Sequence, residues 1–308
     1  ELGAAIAYSA EQPITVQRVL SSIAVTTQPT KTTYYKNETL NLAGMVVKGT
    51  FNSGATAVVT GWTTSPASGA TLSTLGGQTV TVSYTENGVT KTTSFTVQVN
   101  VKTVAWSTGT DAEIAAMVEA ADAGLINLTD YWAVGQERTV SLSAMAATGV
   151  GETHAAQTAT LVLMDKTCTG FTLATATSGG KTKPSFIVGL KNSLAEAGYM
   201  RSDGYNTDGW SVSQRRTWCN DVFRLAIPSA IRGIFKQFKW KQGRGAGNSS
   251  GLIETTDYFG LAPEKAVFGA ASYSFSDEAA LYSHWTWYQT SANRIKKLGD
   301  SGSASYWW

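Results

Sequence analysis

"QTVTVSYTENGVTKTTSFTVQV", residues 78–99, decides the first fold. Apolar and polar residues alternate along it with the period of two that a half-buried strand requires. Val80, Val82 and Tyr84 fall on one side of the outgoing arm, and Phe95, Val97 and Val99 on one side of the return arm. Between the arms stands Asn87-Gly88, a pair that tolerates the positive φ angles of a two-residue turn. The stretch predicts a hairpin with one face in a core.

The same character extends upstream. "LSSIAVTTQPTKTTYY", residues 20–35, alternates on both sides of Pro29. "TLNLAGMVVKGTFNSGATAVV", residues 39–59, offers Leu40, Leu42, Met45 and Val47 to a core and turns at Asn52-Ser53-Gly54. Short strands at this spacing, without a helical period, predict a β-sandwich over residues 18–101. Trp62 is expected at an edge or in the inter-sheet core.

At 308 residues the chain exceeds what one core usually fills, so a second domain is expected. Charged residues are 15%, below the ~25% usual for soluble domains, and the formal net charge is only +2. That balance implies no bulk attraction to nucleic acid or to a membrane surface. There is no apolar run of ~18 residues to insert in a bilayer. Residues 1–17 read as an arm that docks on or extends to a neighbouring subunit. "ELGAAIAYSA" is too short and too uncharged at its start for a secretory signal, and without an initiating Met the chain reads as processed or trimmed.

Residues 102–130 read as a linker with a short helix. Thr110 and Glu113 have capping-box spacing, Ile114, Met117, Val118 and Ala121 follow at helical spacing, and Gly124 fits the stop. Beyond it, "RTVSLSAM" (138–145) and "TATLVLMDK" (158–166) alternate as strands. "SFIVGLKNSLAEAGYM" (185–200) places Ile187, Leu190, Leu194 and Ala197 on a helical stripe. A second helix is expected to open at Ser211, capped with Gln214, and to end at Pro228. Its apolar face would hold Trp218, Cys219, Val222, Phe223 and Ala226, with Arg216, Asn220 and Arg224 pointing away and Arg215 partly buried against a carboxylate or carbonyl. Ile231, Ile234, Phe235 and Phe238 suggest a third. The basic run "RGIFKQFKWKQGRG" (232–245) reads as a solvated helix end, with an anionic-partner patch as the alternative. Asp257 to Leu261 read as a strand, followed by a brief helix at Pro263 and Glu264.

Chemistry-bearing groups are few. Cys168 and Cys219 are the only cysteines, too few for a disulfide framework and without CxxC spacing. They read as two reduced, buried thiols, with one bridge between them as the alternative. Cys219 in mid-stripe favours inert packing over a nucleophile, which should be partly exposed and electropositive. His154 and His284 are the only histidines, and neither lies in a metal-binding spacing. No catalytic residue, metal or cofactor is expected. Trp210, Trp240, Trp285, Trp287 and Tyr288 are the candidates for stacking on a sugar face.

Two resemblances add to this. "SIAVTTQPTKTTYYKNETLNLAGMVVKGTFNSGATAVVTGW" followed by "GGQTVTVSYTENGVTKTTSFTVQV" resembles a bacterial immunoglobulin-like domain of the third group, which implies a spacer or adhesive module. "GYNTDGWSVSQRRTWCNDVFRLAIPSAIRGIFKQ", "DYFGLAPEKAVFG", "WYQTSANRIKK" and "YWW", in that order, resemble an uncharacterised domain family with a C-type-lectin-like fold, common in phage tail proteins and gut-bacterial surface proteins. This second resemblance spans residues 131–308 and gives Arg216, Trp218, Asn220 and the pair Trp307-Trp308 structural roles, while Arg215 and Cys219 are structural on the helical pattern above. Family members usually continue past the final aromatic pair, so it implies a C-terminally incomplete domain.

The expected fold class is mainly β plus α+β, a sandwich followed by a lectin-like domain with two or three helices. The expected function is a non-enzymatic structural or adhesive protein of a phage virion, tail-associated and homo-oligomeric within the particle. Its partners would be host surface glycan or other virion proteins, with no nucleic acid and no membrane insertion. Scarce cysteine fits assembly in a bacterial cytoplasm. The alternatives are a bacterial cell-surface adhesin and a divergent enzyme on the lectin-like fold.

Overall fold

The structure is a computed structural model that describes residues 17–146, 153–195, 209–244, 251–270, 272, 274, 276–297 and 304–305. The chain divides into two compact units between Val101 and Lys102.

Among the described residues the first unit is a seven-stranded sandwich. Its strands are β1 (Leu20–Thr27), β2 (Thr33–Tyr35), β3 (Val46–Phe51), β4 (Thr56–Val58), β5 (Thr63–Ser65), β6 (Gly76–Glu86) and β7 (Val89–Asn100). One sheet has the order β1-β3-β4 and the other β2-β7-β6-β5. All pairs are antiparallel except β2 with β7. The hairpin expected at residues 78–99 is β6–β7, with Asn87 and Gly88 at φ 50° and 80°. Val80, Val82, Phe95, Val97 and Val99 are buried, each contributing roughly 1.5–3 kcal/mol of apolar burial. Leu40, Leu42, Met45 and Val47 join the same core, and Trp62 is half-buried against it. The Tyr34 ring is buried there, and its hydroxyl lies 2.9 Å from the carbonyls of Lys31 and Asn41, so the ring's polar end is satisfied.

The second unit mixes small sheets with short helices. The segment expected to be a linker belongs to it. There α1 (Asp111–Asp122) starts with the expected capping box: Thr110 Oγ1 accepts from Glu113 N at 3.3 Å, and Glu113 Oε2 accepts from Thr110 N at 3.0 Å. Ile114, Met117, Ala120 and Ala121 are buried, so this helix is part of a core and not a tether. Just before it Trp106 is buried beside Trp132, with ring centroids 5.4 Å apart. Arg138 ties this stretch down, donating to Trp106 O at 3.0 Å and Gly109 O at 2.6 Å and pairing with Asp111.

The strands that follow are β8 (Glu137–Leu142), β9 (Gln157–Asp165), β10 (Thr172–Leu173), β11 (Ile187–Leu190), β12 (Phe238–Gly243), β13 (Leu252–Asp257), β14 (Lys296–Lys297) and β15 (Ala304–Ser305). They form sheets of order β11-β9-β8 and β10-β12-β13 and a β14-β15 ribbon. β9 is buried at Leu161, Val162, Leu163 and Met164, so both of its faces are covered. That accounts for its apolar run.

Four sequence expectations are corrected here. Ile187–Leu190 is a strand on β9, not a helix; a short apolar run does not distinguish the two, and pairing with β9 decides it. The second helix is capped by Ser213 rather than Ser211, with Ser213 Oγ accepting from Arg216 N at 3.0 Å. It runs as α2 (Gln214–Thr217), a π-helical segment (Trp218–Phe223) and α3 (Arg224–Ala226), and Ile227 is extended before Pro228. The third helix shrinks to α4 (Ser229–Arg232), because Phe238 belongs to β12. The second part of the basic run is therefore strand, with Lys239 and Lys241 exposed between inward Phe238, Trp240 and Gln242. Finally α5 (Glu264–Phe268) follows Pro263 as expected, and α6 (Ser276–Leu281) precedes the aromatic-rich stretch.

Candidate functional site

The second unit holds a cavity of about 520 Å³ that opens to solvent. Its walls come from α1, from β9 and β11, from the π-helical segment, and from the segments around Phe238–Trp240 and Trp285–Tyr288. Phe171, Phe186, Trp218, Trp240, Trp285 and Tyr288 give it an aromatic lining.

Behind one wall lies a polar hub. Asp257, at the end of β13, is 1% exposed and accepts from five side chains. Trp240 Nε1 donates to Oδ2 at 2.8 Å, Trp210 Nε1 at 3.0 Å and Thr255 Oγ1 at 2.6 Å. Arg216 Nε donates to Oδ1 at 2.7 Å and Asn220 Nδ2 at 3.3 Å. Asn220 also accepts from Tyr258 N at 2.6 Å and donates to Phe259 O at 3.1 Å, stitching the helix to the chain after β13. A buried carboxylate is tolerable only when paired and hydrogen-bonded in this way.

The expected sugar platforms are corrected by this arrangement. Trp210, Trp240, Trp285 and Tyr288 are all at most 5% exposed, so none presents a ring face at the outer surface. Trp210 and Trp240 are donors to the hub, while Trp285 and Tyr288 stack at 6.1 Å on the cavity wall. Trp287 alone is half-buried, lying against Gly135. Arg216 and Asn220 do not point away from the core but into it. Arg224 is half-buried over the Tyr258 ring at 4.0 Å. Arg215 is half-buried as expected, its guanidinium 5.0 Å from the Trp218 ring. Trp307 lies outside the described residues.

Asp257 itself is absent from the sequence-derived candidates. Its signal was Arg216 and Asn220 four apart, hence on one helix face, together with two tryptophans whose N–H groups need an acceptor once buried.

Geometry and electrostatics bear on the two thiols as candidate nucleophiles. Both thiols are free; Cys168 is buried as expected, whereas Cys219 is half-buried on the cavity wall. Burial pushes the Cys219 thiol up to about 12, and the nearby Arg215 lowers it too little to offset that. Burial and the Asp165 carboxylate likewise push Cys168 up to about 12. His154 is buried with its ring 5.1 Å from Trp218, and His284 Nε2 lies 3.1 Å from Val267 O.

Lys296 is the unusual cation of the wall. It is 3% exposed, and Nζ donates to Leu190 O at 2.8 Å and Lys191 O at 2.6 Å. Burial lowers its pKa from 10.5 to about 8. The unfolded chain therefore holds this proton more tightly between pH 8 and 10.5, so its contribution to stability rises across that window and is lost as pH falls through about 8. Relative to a Lys296→Met variant, the native chain is expected to gain on the order of 1–3 kcal/mol over that interval in denaturant titrations. Parallel pH profiles for the two proteins would refute the assignment.

Residues 27–99 match the family model of the bacterial Ig-like domain (group 3). The first unit carries a bacterial Ig-like domain. The match runs from the end of β1 to β7 and so takes in both sheets of the sandwich. No curated protein matches the chain.

Proposed function

We propose that this chain is a non-enzymatic, tail-associated structural or adhesive protein of a phage virion. In this reading the Ig-like domain is a spacer, and the second unit is a lectin-like recognition module that contacts another virion protein or a host surface glycan. The observation that carries the proposal is the Ig-like domain joined directly to a mixed α/β unit. The second unit's polar side chains support it: Arg216, Asn220, Trp210 and Trp240 are engaged in holding Asp257, and both thiols are held in the protonated form. With most of the tryptophans turned inward, a glycan would rely on Trp287 and polar neighbours, so a protein contact is the stronger arm.

A second reading, a bacterial cell-surface adhesin, is favoured by the bacterial family that the first unit matches. Immunogold microscopy with an antibody to the purified chain separates the two. Gold on particle tails is the expected result. Gold confined to cell walls would transfer the chain to the adhesin reading, and gold on neither would overturn both.

A further inference from the structure

The cavity of the second unit has a chemistry that the virion reading does not use. Its volume of about 520 Å³ falls within the ~300–1,000 Å³ of small-molecule sites. An aromatic hollow of that size leaves its walls without dispersion partners on one side, which favours an apolar occupant.

The charge on the lining is one-sided. Lys181, Lys183, Lys236, Lys296 and Arg215 face it, against Asp122 as the lining carboxylate among the described residues. Asp122 is already engaged, with Lys236 Nζ 2.9 Å away. Neither Lys181 nor Lys183 has a carboxylate partner among the described residues, and Lys183 is exposed while Trp218, Trp285 and Tyr288 are buried. The cations of the 181–183 loop therefore sit nearer solvent than the apolar interior.

We propose that this cavity binds a free amphipathic carboxylate, its apolar chain against Trp218, Trp285 and Tyr288 and its carboxylate met by Lys181 and Lys183. Binding of this kind is independent of whether the chain belongs to a virion.

Titration calorimetry of the full chain with dodecanoate tests it, with dodecyltrimethylammonium and dodecanol as matched probes. Saturable binding of one dodecanoate per chain is expected, with the cationic probe at least about tenfold weaker, since it forgoes the charge-assisted hydrogen bonds and meets like charge. The double variant Lys181→Met/Lys183→Met should lose about tenfold or more for dodecanoate, keep its affinity for dodecanol and retain its thermal midpoint. A Ser185→Trp change on the lining should weaken all three probes together. No saturable binding of dodecanoate, equal binding of the two charged probes, or an unchanged double variant would each overturn the proposal. So would binding to anionic phospholipid vesicles with none to free dodecanoate.

Discussion

Replacement of Asp257 by alanine is expected to destabilise the second unit by about 3–5 kcal/mol, the cost of breaking a buried ion pair from one side. The variant keeps Arg216 beside the vacated site and leaves two indole N–H groups without an acceptor, each a loss of ~1–3 kcal/mol when it stays buried. These terms share one network and will not simply add. In a unit of this size the thermal midpoint should fall by roughly 10 °C. Tryptophan emission reads the change well, because nine of the ten tryptophans follow Lys102. Asp257→Asn keeps one acceptor oxygen and should lie between native and alanine. Trp210→Phe, which removes one donor and little volume, should cost less than either. A shift below about 1 kcal/mol for Asp257→Ala would mean that the hub is not what holds the helix to β13.

The second large effect is on thiol chemistry. Raising both thiols from 9.0 to about 12 lowers the thiolate fraction at pH 8 by about a thousandfold. Native chain should react with a disulfide reagent about a thousandfold more slowly than denatured chain, in which both thiols label at the rate of a free peptide. One native thiol labelling at that free rate would restore Cys168 or Cys219 as a reactive group. The same shifts set the alkaline limit. With folded-state values raised, the thiols' contribution to stability is whole below pH 9 and is lost as pH climbs toward 12. Lys296 acts in the opposite sense from pH 8 to 10.5. The second unit should therefore be most stable near pH 9 with respect to these three groups and weaken above it.

How much of this was legible in the sequence differs between the halves. In the Ig-like domain, local alternation and the Asn87-Gly88 turn agree with the tertiary pairing, so residue pattern and sheet coincide down to the register of Val80 opposite Phe95. In the second unit, local and tertiary signals conflict. Ile187 to Leu190 satisfies a helical spacing, yet β9 captures it as a strand, and pairing between distant segments leaves no local trace. The tryptophans were visible as a group but their direction was not, because an indole with its N–H satisfied inside looks the same in sequence as one on a surface. Arg216 and Asn220 were placed outside by assuming a uniform helix. Their true partner lies 41 and 37 residues away.

The π-helical stretch from Trp218 to Phe223 explains how one short helix can do two jobs. Its wider turn inserts an extra residue and shifts the angular phase of what comes after by roughly a quarter revolution relative to a regular helix. Arg216 just before it and Asn220 within it reach the carboxylate at the end of β13, while Trp218, Cys219 and Phe223 of the same stretch front the hollow. Removing a single residue there would turn the later side chains away from the partners they have now. Polar anchor and aromatic chamber thus draw on one short run of chain.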